Sequence, residues 1–141
     1  MTPRSLTALL AALALAALAA GCAPQQSSSS DSVSKFTGDQ KAVAQTVEDL
    51  ESAASDGNEA KLCSQVFAKA LAGRLAAAGG GCTNAVKAAI KDTDSVDMTV
   101  ESVRVNGDRA TANVKFETGK NDRRGTVALV REGGRWRVAG F

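Results

Sequence analysis

The spacing of hydrophobic residues changes once along this chain, near Val96, and that change restricts the fold more than any other feature. Before Val96 the apolar residues recur every three or four positions, which predicts helices, and after it they alternate with polar residues, which predicts strands. Asn106-Gly107 and Gly133-Gly134 are typical of two-residue hairpin turns, so consecutive strands should pair antiparallel. We therefore predict an α+β domain in which N-terminal helices pack on one face of a curved antiparallel β-meander.

The predicted helices begin and end at local signals. Thr37 followed three residues later by Gln40 matches a capping box, and the apolar stripe behind it continues to Gly57. Asn58 is expected to cap a short second helix, and a third helix is predicted from Ser64. The apolar stripe of this third helix contains Phe67, Leu71 and Leu75.

The strand region predicts a sheet with one face in solvent. Apolar residues before and after Glu101-Ser102 fall on opposite parities, so we expect a β-bulge there. From Arg109 to Glu117 apolar and polar residues alternate without a break, as they do in strands that water covers on one side.

The first residues resemble an export signal. Arg4 precedes an apolar run from Ala8 to Ala20, whose 13 residues are fewer than the roughly 18 of a membrane-spanning helix. The run ends in Leu18-Ala19-Ala20-Gly21-Cys22, which resembles the lipobox of bacterial lipoproteins, although Ala19 stands where that motif usually has Leu.

This resemblance implies that residues 1–21 are a signal peptide and that Cys22 is the lipid attachment site, with acyl chains such as palmitate. A protein anchored in this way is exported and held at the outer face of the cell membrane. The alternative that the residues leave open is an ordinary cleavage site after Ala19, with Cys22 as a free thiol.

Behind the signal the composition changes. Residues 22–36 are rich in Ser and Gln, and we interpret them as a flexible linker between the anchor and the domain. Residues 37–141 contain no proline and are long enough for one domain.

Composition excludes several classes of function. The chain has no His and no Tyr, and its 17 Lys+Arg against 15 Asp+Glu give a net charge of +2. A balance this close to neutral gives no electrostatic argument for nucleic acid, and the absence of His excludes His-based triads and His-containing zinc sites. We predict no metal site, no cofactor and no nucleic-acid partner.

Cys63 and Cys82 are predicted to form a disulfide. With Cys22 modified by lipid, they are the remaining even pair in an oxidising compartment. Two buried free thiols are the alternative that the sequence leaves open.

Several short motifs resemble the nuclear transport factor 2-like (NTF2-like) superfamily, and especially its exported lipoproteins of actinobacteria. They are Asp56-Gly57 after the first helix, one cysteine before and one after the third helix, and the closing run Gly133-Gly134-Arg135-Trp136-Arg137-Val138. The resemblance covers about residues 38–141. It implies a cone-shaped fold in which a strongly bent sheet wraps around helices and can enclose a pocket.

The resemblance also bears on catalysis. Enzymes of this superfamily, such as ketosteroid isomerases and polyketide cyclases, place Asp with Tyr, or His with Asp, inside the cone. Because this chain lacks His and Tyr, we predict a non-catalytic binding module, which the resemblance implies can dimerise through its sheet. Two alternatives stay open: a carrier of a small apolar ligand in the cone pocket, and, less favoured, an isomerase-like or cyclase-like enzyme.

The charge distribution indicates where a partner would bind. From Met98 to Phe141 there are nine basic residues and five acidic ones. The candidate surface is therefore the basic side of the sheet, and its partner an unidentified protein or an anionic component of the envelope. Its residues are Lys120, Arg123, Arg124, Arg135 and Arg137.

Overall fold

The computed structural model describes residues 30–91, 97–118 and 121–141. The helices are α1 (Ser30–Ser34), α2 (Gly38–Ser55), α3 (Glu59–Lys61), a π-helical turn (Leu62–Val66), α4 (Lys69–Gly79) and α5 (Cys82–Ile90). The strands are β1 (Asp97–Asn106), β2 (Arg109–Thr118), β3 (Asn121–Glu132) and β4 (Arg135–Gly140). Helices followed by an antiparallel meander confirm the predicted α+β class.

The four strands lie in the sheet in chain order, each antiparallel to the next. The register shifts between Val100 and Ser102, which confirms the predicted bulge. The first hairpin turns one residue later than predicted, since Asn106 already pairs with Arg109 and leaves Gly107 and Asp108 as the central residues. Gly107 supplies the positive φ of 58° that this tight turn requires.

One face of the sheet, which we call the inner face, packs against α2. The stripe predicted for the first helix is buried, with Val43 and Val47 at 0% exposure and Leu50 at 4%. The inner-face side chains that it meets are also buried; they include Val100, Val114, Val127, Leu129 and Val138. Burying side chains of this size supplies most of the stability of a small domain.

Part of the segment that we predicted as linker is helical and packs on the domain. Val33 in α1 is 5% exposed, and Phe36, which follows the helix and donates its N–H to the Val33 carbonyl oxygen at 3.1 Å, packs against the core. The Lys35 ammonium donates to the carbonyl oxygen of Glu101 at 3.3 Å, so this segment also covers the edge strand β1. Residues 1–29, with Cys22, lie outside the described residues.

The predicted capping box does not form. Thr37 has the extended backbone of an N-cap, but its side chain makes no capping hydrogen bond. The Gln40 amide instead donates to the carbonyl oxygen of Val103 at 3.0 Å, a second side chain on the edge of β1. The hydrogen bond from Gln40 to the edge of β1 is thus formed in place of the local capping bond.

The third helix begins later than predicted. Asn58 caps α3 as expected, accepting from the Lys61 N–H at 3.0 Å. The chain then makes the π-helical turn and becomes extended at Phe67, which bridges Val138 of β4. The Ala68 N–H donates to the Val138 carbonyl oxygen at 2.8 Å, so the free edge of β4 draws this segment out of the helix.

Cys63 and Cys82 form a disulfide that joins the π-helical turn to the first residue of α5. The bridge therefore holds both ends of the α4 segment. In the described residues, no helix is long and apolar enough to cross a membrane.

Candidate functional site

The inner face offers no room for a ligand where its central side chains meet α2. Val100, Val114, Val127 and Val138 on the sheet, and Val43 on α2, are all at 0% exposure. Because a void that holds water would expose part of its lining, these side chains are packed against one another. At these positions the space between α2 and the sheet is filled.

Two carboxylates on α2 come nearest to the paired acids that an enzyme would need. Glu51 is 8% exposed, and Glu48, one turn before it, buries Oε1 without a hydrogen-bond partner in the described structure. Burial raises the pKa of the Glu48 carboxyl, and the charges of Glu51 and Asp49 raise it further. No three His, Cys, Asp or Glu side chains of the described residues gather into a possible metal site.

The opposite, solvent-covered side of the sheet is the outer face. Its centre is a row of small polar side chains across three strands. The Asn113 side-chain amide donates to the Ser102 hydroxyl at 2.9 Å. The Thr126 hydroxyl donates to the side-chain oxygen Oδ1 of Asn113 at 3.3 Å. The alternation predicted for β2 produces this surface, with Ala112 and Val114 buried on either side of Asn113.

At one end of the outer face, which we call the paired end, the described bases Lys115 and Arg124 both have acids beside them. Lys115 contacts both Glu117 and Asp122, the latter at 2.9 Å. The hydrogen bonds that the Lys115 ammonium donates, first to Glu117 and then to Asp122, raise its pKa. Arg124 donates through Nε to both carboxylate oxygens of Glu101 at 3.1 Å. Each of these two bases is thus paired with at least one carboxylate.

The other end holds four arginines, which we call the arginine patch: Arg104, Arg109, Arg135 and Arg137. In the described part of the chain, none of them has a carboxylate within the 4.0 Å of an ion pair. The first three are exposed and Arg137 is half-buried. Arg137 donates to the Ser64 carbonyl oxygen at 2.9 Å, which orients its guanidinium without neutralising it.

Strand register brings the patch together. Val130 of β3 pairs with Arg109 on one side and with Arg137 on the other. Arg104 pairs with Thr111, one step along β2 from Arg109, on the same parity of the sheet. Neighbouring strands lie about 4.8 Å apart, so Arg109 and Arg137 have α-carbons about 10 Å apart.

The acids near the patch are engaged elsewhere. Arg131 points to the inner side, where it lies over the Trp136 ring at 4.6 Å and binds Asp39 at 2.6 Å. Its Nε also lies 3.6 Å from Asp108. Glu132 accepts from the Lys69 N–H at the beginning of α4, at 3.2 and 3.3 Å. In the described structure neither Asp108 nor Glu132 forms an ion pair with a patch arginine.

A surface hollow of about 420 Å³ adjoins the patch. It lies between the β3–β4 turn and α4, and its lining consists of Lys69, Glu132, Gly133, Arg135 and Arg137. Lys69 brings a fifth cation to this corner of the molecule. An anion that enters the hollow meets three basic side chains and one acid that is already hydrogen-bonded.

The sequence-predicted surface is divided between the two ends. Arg135 and Arg137 belong to the patch, whereas Arg124 is paired with Glu101 at the other end, about 20 Å away along β3. Arg123 falls on the inner parity, opposite Phe116, and Lys120 lies outside the described residues. The prediction missed Arg104 and Arg109; register across the first hairpin was the signal that could have found them.

A comparison of structures finds the same fold in a crystal structure of an NTF-2 like protein of unknown function from Silicibacter pomeroyi. The two chains are 16% identical and have a TM-score of 0.50, and the match covers 70% of this chain and 87% of that one. The sequence matches no protein-family profile and no curated protein. This domain, whose helices pack on one side of a four-stranded antiparallel sheet, therefore has an NTF2-like fold.

Proposed function

We propose that this protein is an exported lipoprotein, anchored to the outer face of the cell membrane through Cys22, whose domain is a non-catalytic binding module. The module binds an anionic component of the cell envelope through the arginine patch. One observation carries the proposal: four arginines without carboxylate partners in the described structure share one end of the outer face.

In the described structure no ion pair within the fold accounts for the charge of the patch. Like charges on neighbouring strands repel, and a sheet that needed only solubility could alternate the two signs, as the paired end does. A guanidinium presents a planar fork of donors that matches carboxylate, sulfate and phosphate oxygens. An anionic partner would both relieve the repulsion and use these donors.

Export and anchoring rest on independent support. The lipobox-like Leu18-Ala19-Ala20-Gly21-Cys22 gives the attachment site, and the Cys63–Cys82 disulfide suits an oxidising compartment. Between Cys22 and the beginning of α1 at Ser30 the chain spans at most about 30 Å. The domain would therefore work close to the membrane, among the components of the envelope.

Charge reversal tests the binding function. In the full chain, Arg109→Glu with Arg137→Glu should abolish salt-sensitive retention on delipidated envelope material, since repulsion replaces two contacts. The matched control reverses Arg123 and Lys87, exposed cations of β3 and α5 that do not belong to the patch, and should retain the wild-type level. Equal loss in both variants, or no loss in either, contradicts the assignment to the patch.

A separate variant tests the anchor. Cys22→Ala should move the protein from the membrane fraction to the soluble fraction and abolish labelling by a fatty-acid probe. Unchanged partition and labelling would show that Cys22 is not the lipid site.

A further inference from the structure

We infer that the arginine patch binds a linear polymer with repeated anionic groups, which lies across the strands of the outer face. The inference rests on the proposed function and gives the chemical class of the partner. A phosphate-repeating chain has the required chemistry, and inorganic polyphosphate serves as its experimental stand-in.

The arrangement of the arginines argues for a polymer. Arg104, Arg109 and Arg137 stand on β1, β2 and β4, so the line through them crosses the whole width of the sheet. Three strand spacings separate its ends by about 14 Å. A single phosphate reaches one or two guanidinium groups over such a span, whereas a chain of anions reaches all of them.

The surface between the arginines leaves room for a polymer backbone. Thr111 and Ala128 are exposed and small, and Val130 is half-buried, so no bulky side chain rises between the guanidinium groups. Of the two acids beside the patch, Asp108 has a carboxylate oxygen 3.6 Å from the Arg131 Nε, and Glu132 accepts from the Lys69 N–H. In the described structure no bulky side chain stands on this line, and neither acid forms an ion pair with a patch arginine.

The same surface is a poor match for a lipid bilayer. Proteins that bind membranes peripherally combine basic residues with apolar side chains that enter the interface. In the described structure the exposed large hydrophobic residue is Phe141, at 73% exposure, which packs edge-on against Phe67 and not on the outer face. All four patch cations are arginines, whose bidentate geometry is of use to fixed anions more than to a diffuse surface charge.

The test measures binding of a ligand series to the full chain with Cys22→Ala, so that no acyl chain contributes. The ligands are inorganic phosphate, tripolyphosphate, long-chain polyphosphate and vesicles of phosphatidylglycerol. We expect affinity to rise with polymer length, and each of Arg104→Gln, Arg109→Gln and Arg137→Gln to weaken binding of the long polymer about tenfold. Arg123→Gln, the matched control, should change it less than twofold.

The other outcomes separate the two proposals. Equal affinity for phosphate and long polyphosphate, or tighter binding to vesicles than to the polymer, overturns the inference of a polymeric ligand. The proposed function of the patch in binding anions would then stand. A concentration-dependent dimer that excludes the polymer from the outer face also overturns the polymeric ligand, with a second copy as the occupant. No binding in any arm, or an equal loss in Arg123→Gln, overturns both the polymer and the proposed function.

Discussion

The two ends of the outer face use the same residue types in opposite ways. At the paired end Lys115 lies between two carboxylates and Arg124 binds both oxygens of Glu101. At the other end four arginines stand without a carboxylate in the described structure, although Asp108 and Glu132 are close in sequence. The difference shows that position, more than composition, decides whether a charge on this sheet is structural or available to a partner.

The largest expected effect concerns the Cys63–Cys82 disulfide, which holds α4 beside the arginine patch. Replacing both Cys63 and Cys82 by Ala releases the two ends of the α4 segment, which carries Lys69 to the hollow. The separation of 19 residues predicts a loss of about 3 kcal/mol in the free energy of unfolding. Urea unfolding measures this loss, and dithiothreitol should reproduce it in the wild-type protein.

The matched control is Cys22→Ala, which removes a thiol outside the described fold and should leave the unfolding free energy unchanged. If reduction left the stability of the wild-type protein unaltered, the bridge would contribute nothing to the fold.

The next effect tests why the acids avoid the patch. Arg131→Ala removes the contacts with Asp39 and Asp108 and the packing over Trp136, and should lower the unfolding free energy by about 1 to 2 kcal/mol. It also frees the Asp108 carboxylate beside Arg109, so polyanion affinity should fall although no patch residue changes.

Arg131→Met separates the two roles, because its apolar side chain continues to cover Trp136. It should recover part of the stability but none of the polyanion affinity. Wild-type affinity in both variants would show that the engagement of Asp108 does not keep the patch available.

A smaller effect is expected when the acids of the paired end are neutralised, so that its bases lack carboxylate partners as the arginine patch does. Glu101→Gln with Glu117→Gln and Asp122→Asn removes the carboxylates from Arg124 and Lys115, and exposed pairs of this kind contribute less than about 1 kcal/mol each. Thermal unfolding should therefore change little, while polyphosphate gains a second binding region at low salt. A stability loss well above that bound would show that the ion pairs support the sheet itself.

Sequence reasoning predicted the order of the elements, the bulge at Glu101-Ser102 and the buried parity of the strands, because these depend on local periodicity. It misplaced the beginning of α4, because the edge of β4 offers Ala68 a hydrogen bond that no local pattern encodes. It also treated residues up to 36 as linker, since the burial of Val33 depends on the distant strand that it covers.

The candidate site was predictable in part for the same reason. The shared parity of Arg135 and Arg137 is a local property, and the structure reproduces it around the buried Trp136. Arg137 lies near Arg109 because Val130 pairs with both of them, which depends on the register of two pairs of strands. Arg124 does not belong to the patch because it pairs with Glu101, which lies two strands away. Pairing across strands is the information that a single sequence lacks.

The smallest expected effect concerns Glu48, whose Oε1 has no hydrogen-bond partner in the described structure and whose charge is partly removed from water, unlike the charges of the exposed arginines. Burial raises the pKa of Glu48 above that of the unfolded chain, so the folded protein holds this proton more tightly. The stabilisation from protonated Glu48 is complete below the unfolded pKa and is lost as the pH rises through the folded pKa. Glu48→Gln does not titrate and should gain roughly a few tenths of a kcal/mol over wild type at neutral pH, a gain that shrinks toward about pH 4. Urea unfolding at both pH values, with Asp97→Asn at an exposed position as the control, measures the difference; a gain that is independent of pH would assign the effect to helix propensity instead of to buried charge.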